Sequence, residues 1–143
     1  MFSYVTPGRQ GVNTSSIFSK GITRYGLEKN IVLTAFVLEI PGKPCKRPDE
    51  DIITEFIAAG LREDSPVAFL NLSNGTLGNL ENWHWVTILS LDTDALTAVI
   101  SDQGKSFEIN LREWIKTSIL GGSMVYTVCD RDKNVSNVRY NLI

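Results

Sequence analysis

The only histidine of the chain, His84, sits in Trp83-His84-Trp85-Val86-Thr87-Ile88, and Asp102 follows 18 positions later at the end of a second apolar run. An imidazole beside a carboxylate is held in one tautomer and its conjugate acid is stabilised, which suits it to act as general base on a thiol or hydroxyl. The pair is the base-and-orienter half of a nucleophilic site. A nucleophile is harder to find. Cys45 lies between Pro44 and Lys46 in a loop, where Lys46 and Arg47 favour a thiolate. Cys129 ends an apolar strand pattern, so a small buried apolar role is expected for it. Thr14, Ser15 and Ser16 stand near a helix start, where capping accounts for them. Gln103, next to Asp102, either binds a substrate amide or finishes a turn, and Asn74, Asn79 and Asn82 fit turn chemistry.

Whether His84 meets Asp102 depends on how two strands pair. Residues opposite one another in an antiparallel ladder share a face. A three-residue loop, Asp92-Thr93-Asp94, pairs Leu91 with Ala95 and brings His84 opposite Asp102. A two-residue loop, Thr93-Asp94, sends the two side chains to opposite faces, because a slip of one residue reverses the alternation. In a regular strand Trp83 and Trp85 face away from His84, which puts at least one of them in a core; Trp114 is expected there too.

The elements that must hold this hairpin follow from periodicity and punctuation. Asn13 or Thr14 caps a helix carrying Ile17, Phe18, Ile22 and Tyr25, with Gly26 as its end. Residues 31–40 are rich in β-branched and aromatic types and stop at Pro41-Gly42, which makes a strand. Pro48 at a first helical position, acids at 49–51, and Ile52, Ile53, Phe56, Ile57 and Leu61 predict a helix. Strands follow at residues 67–72, 83–91, 95–102 and 106–109, with a long loop at 73–82. Asn110-Leu111-Arg112-Glu113 offers a capping box for a short helix, ended by Gly121-Gly122. Residues 124–129 form a last core strand, and Val138, Tyr140, Leu142 and Ile143 suit an edge strand in a C-terminal extension, 130–143. Helices early and strands late predict one α+β domain, an antiparallel sheet with helices packed against it.

With 143 residues, 43% hydrophobic and 21% charged, the chain matches one ordinary globular domain. A net charge of −2 without a basic block gives no reason to expect nucleic acid or an anionic membrane as partner. No apolar run is long enough to span a bilayer and no signal-peptide pattern is present, so a soluble, cytoplasmic protein with free thiols is expected. No Gly-rich phosphate loop and no metal-ligand spacing appears, which leaves no cofactor expected.

The string His84-Trp85-Val86-Thr87-Ile88, a turn, Ala98-Val99-Ile100-Ser101-Asp102-Gln103-Gly104-Lys105, then Leu111-Arg112-Glu113-Trp114 and Gly121-Gly122-Ser123-Met124-Val125-Tyr126 resembles the C-terminal half of papain-like cysteine peptidases of the C39-like type. The helix from Glu50 and Ser65-Pro66-Val67-Ala68-Phe69-Leu70 are similar as well, so the resemblance covers about residues 50–129. It implies a papain-like fold incomplete at its N-terminus, with His84 as general base and Asp102 as orienting acid. It also implies a cysteine at a helix start well upstream, preceded by a glutamine, and neither stands in that setting here. Cys45 is the one upstream thiol, but it lacks the Gly-rich context and lies closer to the histidine than the family's nucleophile does. Three readings follow: a C39-like peptidase or amide hydrolase whose nucleophile lies outside this sequence, inactive as it stands; a non-catalytic papain-like module that binds a peptide or protein in the same cleft; and an unrelated α+β binding domain with a structural His84.

Overall fold

A computed structural model of the chain describes residues 14–130. The elements are α1 (Ser15–Glu28), β1 (Val32–Ile40), a 3₁₀ turn (Pro44–Lys46), α2 (Glu50–Arg62), β2 (Val67–Asn71), β3 (His84–Asp92), β4 (Thr97–Asp102), β5 (Lys105–Asn110), α3 (Leu111–Thr117) and β6 (Gly122–Asp130). The six strands make one sheet in the order β1-β6-β2-β3-β4-β5, antiparallel at every pairing. The α+β class expected from the sequence is thus observed. The edge strand expected within 131–143 lies outside the described residues.

Local sequence explains most boundaries. The Thr14 side chain accepts from Ile17 N at 3.3 Å and caps α1, and Asn110 accepts from Glu113 N at 3.1 Å to cap α3. Three expected helix boundaries move, the first being that α3 stops at Thr117 with Ser118 as its cap, short of Gly121-Gly122. Helix α1 continues through Gly26 to Glu28, because that glycine lets the helix close on Ile31 and Leu33, where a Cβ would come within 2.9 Å of the Leu33 side chain. Pro48 stands ahead of α2 instead of at its first position: Asp49 is the cap residue, with its carbonyl accepting from Ile53 N at 3.1 Å.

Pairing fixes which residues share a face. Phe69, Val86, Ile88, Ile100 and Met124 point to one side, where α2 lays Ile53 and Ile57 and α3 lays Leu111 and Trp114; all nine are less than 5% exposed. Trp114 meets Phe69 edge-on at 4.7 Å between ring centres. Helix α1 covers the other face, where Phe18 stacks on Trp85 at 4.5 Å. Trp114 is therefore core, as expected, while Trp83 is 52% exposed. Cys129 is exposed, contrary to the buried role expected for it. It lies beyond the stretch where β6 pairs with β2, which runs from Asn71↔Gly122 to Ala68↔Val125, so among the described residues β1 alone flanks it. Among the described residues no helix is long and apolar enough to cross a membrane.

Candidate functional site

His84 opens β3 directly opposite Asn71, the last residue of β2, and Asp102 ends β4. His84 Nε2 and Asp102 Oδ1 are 2.7 Å apart, with side chains 26% and 17% exposed. In the neutral ring Nε2–H donates to the carboxylate, which leaves the lone pair on Nδ1. Nδ1 makes no hydrogen bond to any described residue. The site therefore holds an oriented imidazole whose other nitrogen is an acceptor without a partner among the described residues.

The pair meets by a route other than the expected three-residue loop. The β3–β4 turn is Thr93-Asp94-Ala95-Leu96, with Asp92 opposite Thr97 and Leu91 opposite Ala98. Asp92 Oδ1 accepts from Asp94 N and Ala95 N, each at 3.0 Å, and Leu96 takes a left-handed φ of 53° while its side chain is 1% exposed. Continued unbroken, that register would set Asp102 opposite Thr87 and on the face away from His84. A bulge between Ile88 and Ser90 adds one residue, Leu89, and the ladder resumes as Ile88↔Ile100 and Thr87↔Ser101. Asp102 then falls beside Val86, and His84 reaches it diagonally, within range for side chains of their length. The bulge restores the parity that the turn would have lost.

Two backbone features border the pair. Trp83 has φ of 55°, a left-handed conformation costly for a bulky side chain, and its strand begins only at the next residue. Its neighbours are pinned: the Glu81 carbonyl accepts from Asn71 Nδ2 at 2.6 Å, and Asn82 Oδ1 accepts from Asn74 N at 2.7 Å. Gln103 and Gly104, with φ of 50° and 79°, form the two-residue turn between Asp102 and Lys105. Gln103 is exposed there, so its placement is accounted for by the turn.

Beneath His84 lies a polar network that motif reading missed. Asn71 is fully buried, and its Oδ1 accepts from Trp114 Nε1 at 2.8 Å. Trp114 Nε1 also reaches the Ser73 carbonyl at 3.0 Å, and the Ser73 and Ser118 hydroxyls lie 2.8 Å apart. Leu120 N donates to Ser73 Oγ at 2.9 Å and Gly121 N to Ser118 Oγ at 3.0 Å, which fastens the loop before β6. Arg47, expected to favour a thiolate at Cys45, is instead engaged with backbone. Its guanidinium donates to the carbonyls of Pro41 at 2.7 Å and Gly42 at 3.0 Å, and to those of Ile115 and Ser118. Burial lowers the Arg47 pKa, yet an arginine remains charged at neutral pH. That charge is committed to carbonyls near the C-terminal end of α3, where a cation is favoured.

Cys45 is exposed on the 3₁₀ turn and makes no hydrogen bond to His84. Ser15, the first residue of α1, is buried and donates to Glu39, and α1 lies on the sheet face opposite His84. No described hydroxyl or thiol is thus joined to Nδ1. Among the described residues no group of three or more His, Cys, Asp or Glu side chains could hold a metal. Comparison of the chain with protein-family models, with curated proteins and with solved structures finds no match in any of the three.

Proposed function

We propose that this chain is a papain-like domain of the C39-like type that retains the base-and-orienter pair, His84 and Asp102, with no nucleophile set against it among the described residues, and that alone it does not hydrolyse amide bonds. The observation that carries this reading is the 2.7 Å bond from Nε2 to Asp102, with Nδ1 left without a described partner. That arrangement is what a base needs to accept a proton from an S–H, O–H or N–H brought to it. A second reading, a module that binds a peptide or protein partner, is favoured by Trp83. Its indole is 52% exposed, next to the pair, in a strained conformation that its pinned neighbours sustain. Large exposed aromatics on rigid backbone are common anchors of recognition.

Turnover of fluorogenic peptide amides and of thioesters separates these from an active enzyme. The expected result is a rate equal to that of buffer, unchanged in Cys45→Ser and His84→Ala. Turnover that both substitutions abolish would overturn the proposal and make Cys45 the nucleophile.

A further inference from the structure

The two edges of the sheet are built differently. β5, at one edge, is only six residues long and exposes Lys105, Ser106, Glu108 and Asn110, and its Glu108 carbonyl accepts from Asn79 Nδ2 at 3.2 Å. Short length, charge and a covering loop are devices that keep an edge from recruiting another chain. β1, at the other edge, lacks them. It runs nine residues, Val-Leu-Thr-Ala-Phe-Val-Leu-Glu-Ile, without Pro, Lys or a bulge, and among the described residues it pairs with β6 alone. Its single charge, Glu39, is drawn back onto its own helix by the Ser15 hydroxyl. In mid-strand, Phe36 and Val37 are 43% and 41% exposed.

We propose that the β1 edge is where two copies of this chain associate, strand against strand and antiparallel, forming one continuous sheet about a two-fold axis at Phe36. An isologous contact requires a self-complementary strand. Pairing about Phe36 sets Val32 opposite Ile40, Leu33 opposite Glu39 and Ala35 opposite Val37, so no like charges meet and the unpaired amides and carbonyls of both edges find partners. An axis normal to the sheet keeps each face continuous across the junction. On the α2 face, Phe56, Tyr126 and Phe36 already form an aromatic row with ring centres 4.9 and 5.0 Å apart. That row stops at exposed Phe36, and in the pair it runs on into Phe36 and Tyr126 of the second copy. On the other face α1 runs beside the edge strand, with Ser15 donating to Glu39 at one end and Gly26 resting on Leu33 at the other, while Phe18 reaches inward to stack on Trp85 of β3.

Sedimentation equilibrium of the full chain from about 1 μM to about 1 mM reads the association directly. The expected result is a concentration-dependent dimer whose dissociation constant rises about tenfold or more in Val37→Lys, which puts a charge into the centre of the ladder without touching the core. Hydrogen exchange on the unsubstituted chain provides a readout that does not depend on the variant folding: alternate β1 amides gain protection as concentration rises. A monomer throughout that range overturns the proposal, and so does β1 protection independent of concentration, which would mean that the chain covers its own edge. A dimer indifferent to Val37→Lys, with unprotected β1 amides, places the interface elsewhere and overturns it equally.

Discussion

Two single-residue deletions in β3, two positions apart, should have opposite outcomes. Leu89 is the extra residue of the bulge, so its removal joins Ser90, opposite Val99, directly to Ile88, opposite Ile100. Alternation then runs without interruption from Leu91 to His84, and Asp102 stays within reach. Leu89 is 44% exposed, so about half of a leucine's burial is lost, about 1 kcal/mol. Removing Thr87 instead reverses His84, Trp85 and Val86. Val86, 4% exposed, leaves the core at a cost of about 2 kcal/mol, and the Trp85 indole is driven into a packed interior at about 2 kcal/mol more. Against a total stability of about 5–15 kcal/mol, the first deletion is tolerated and the second abolishes or nearly abolishes folding. Urea denaturation measures both. Equal losses in the two deletions, or loss of the His84–Asp102 contact on removing Leu89, would refute the parity reasoning.

Other substitutions test the parts that hold the site. Arg47→Ala leaves four carbonyls to water and should lower unfolding free energy by about 2 kcal/mol, with Arg47→Lys restoring little, since an ammonium cannot reproduce the guanidinium fork. Trp114→Phe removes the indole donor shared by Asn71 Oδ1 and the Ser73 carbonyl, for an expected loss of about 2–4 kcal/mol by chemical denaturation. Gly121→Ala meets a φ of 70° and a Cβ only 1.9 Å from the Ile40 carbonyl oxygen; a loss of at least about 3 kcal/mol is expected, seen as a lowered Tm.

The sequence made the hairpin and the two capped helices readable, because alternation and cap chemistry are local; the meeting of His84 with Asp102 was expected from a three-residue loop that does not form, and comes about through a longer turn offset by a bulge. The turn length was not readable, since a leucine buried in a left-handed position carries no composition signal: Leu96 reads as strand. The bulge did leave a trace. Apolar positions Val86 and Ile88 alternate in one phase and Leu91 falls in the other, so one residue between them had to be extra. Cys129 misled because an apolar strand pattern says nothing about how many neighbours a strand end has. The roles of Asn71 and Ser118, and the one Arg47 takes in place of favouring a thiolate, were unreadable for a different reason: most of their partners are backbone groups or side chains distant in sequence, which only the fold brings together.

The state of the His84 ring is the most direct test of the dyad. Long-range nitrogen–proton correlation on imidazole-labelled protein, at a pH where the ring is neutral, assigns the proton to one nitrogen. The proton is predicted on Nε2, with Nδ1 bare, and that preference should weaken in Asp102→Ala. A ring protonated on Nδ1, or one whose tautomer is indifferent to Asp102, would contradict an oriented base at this site.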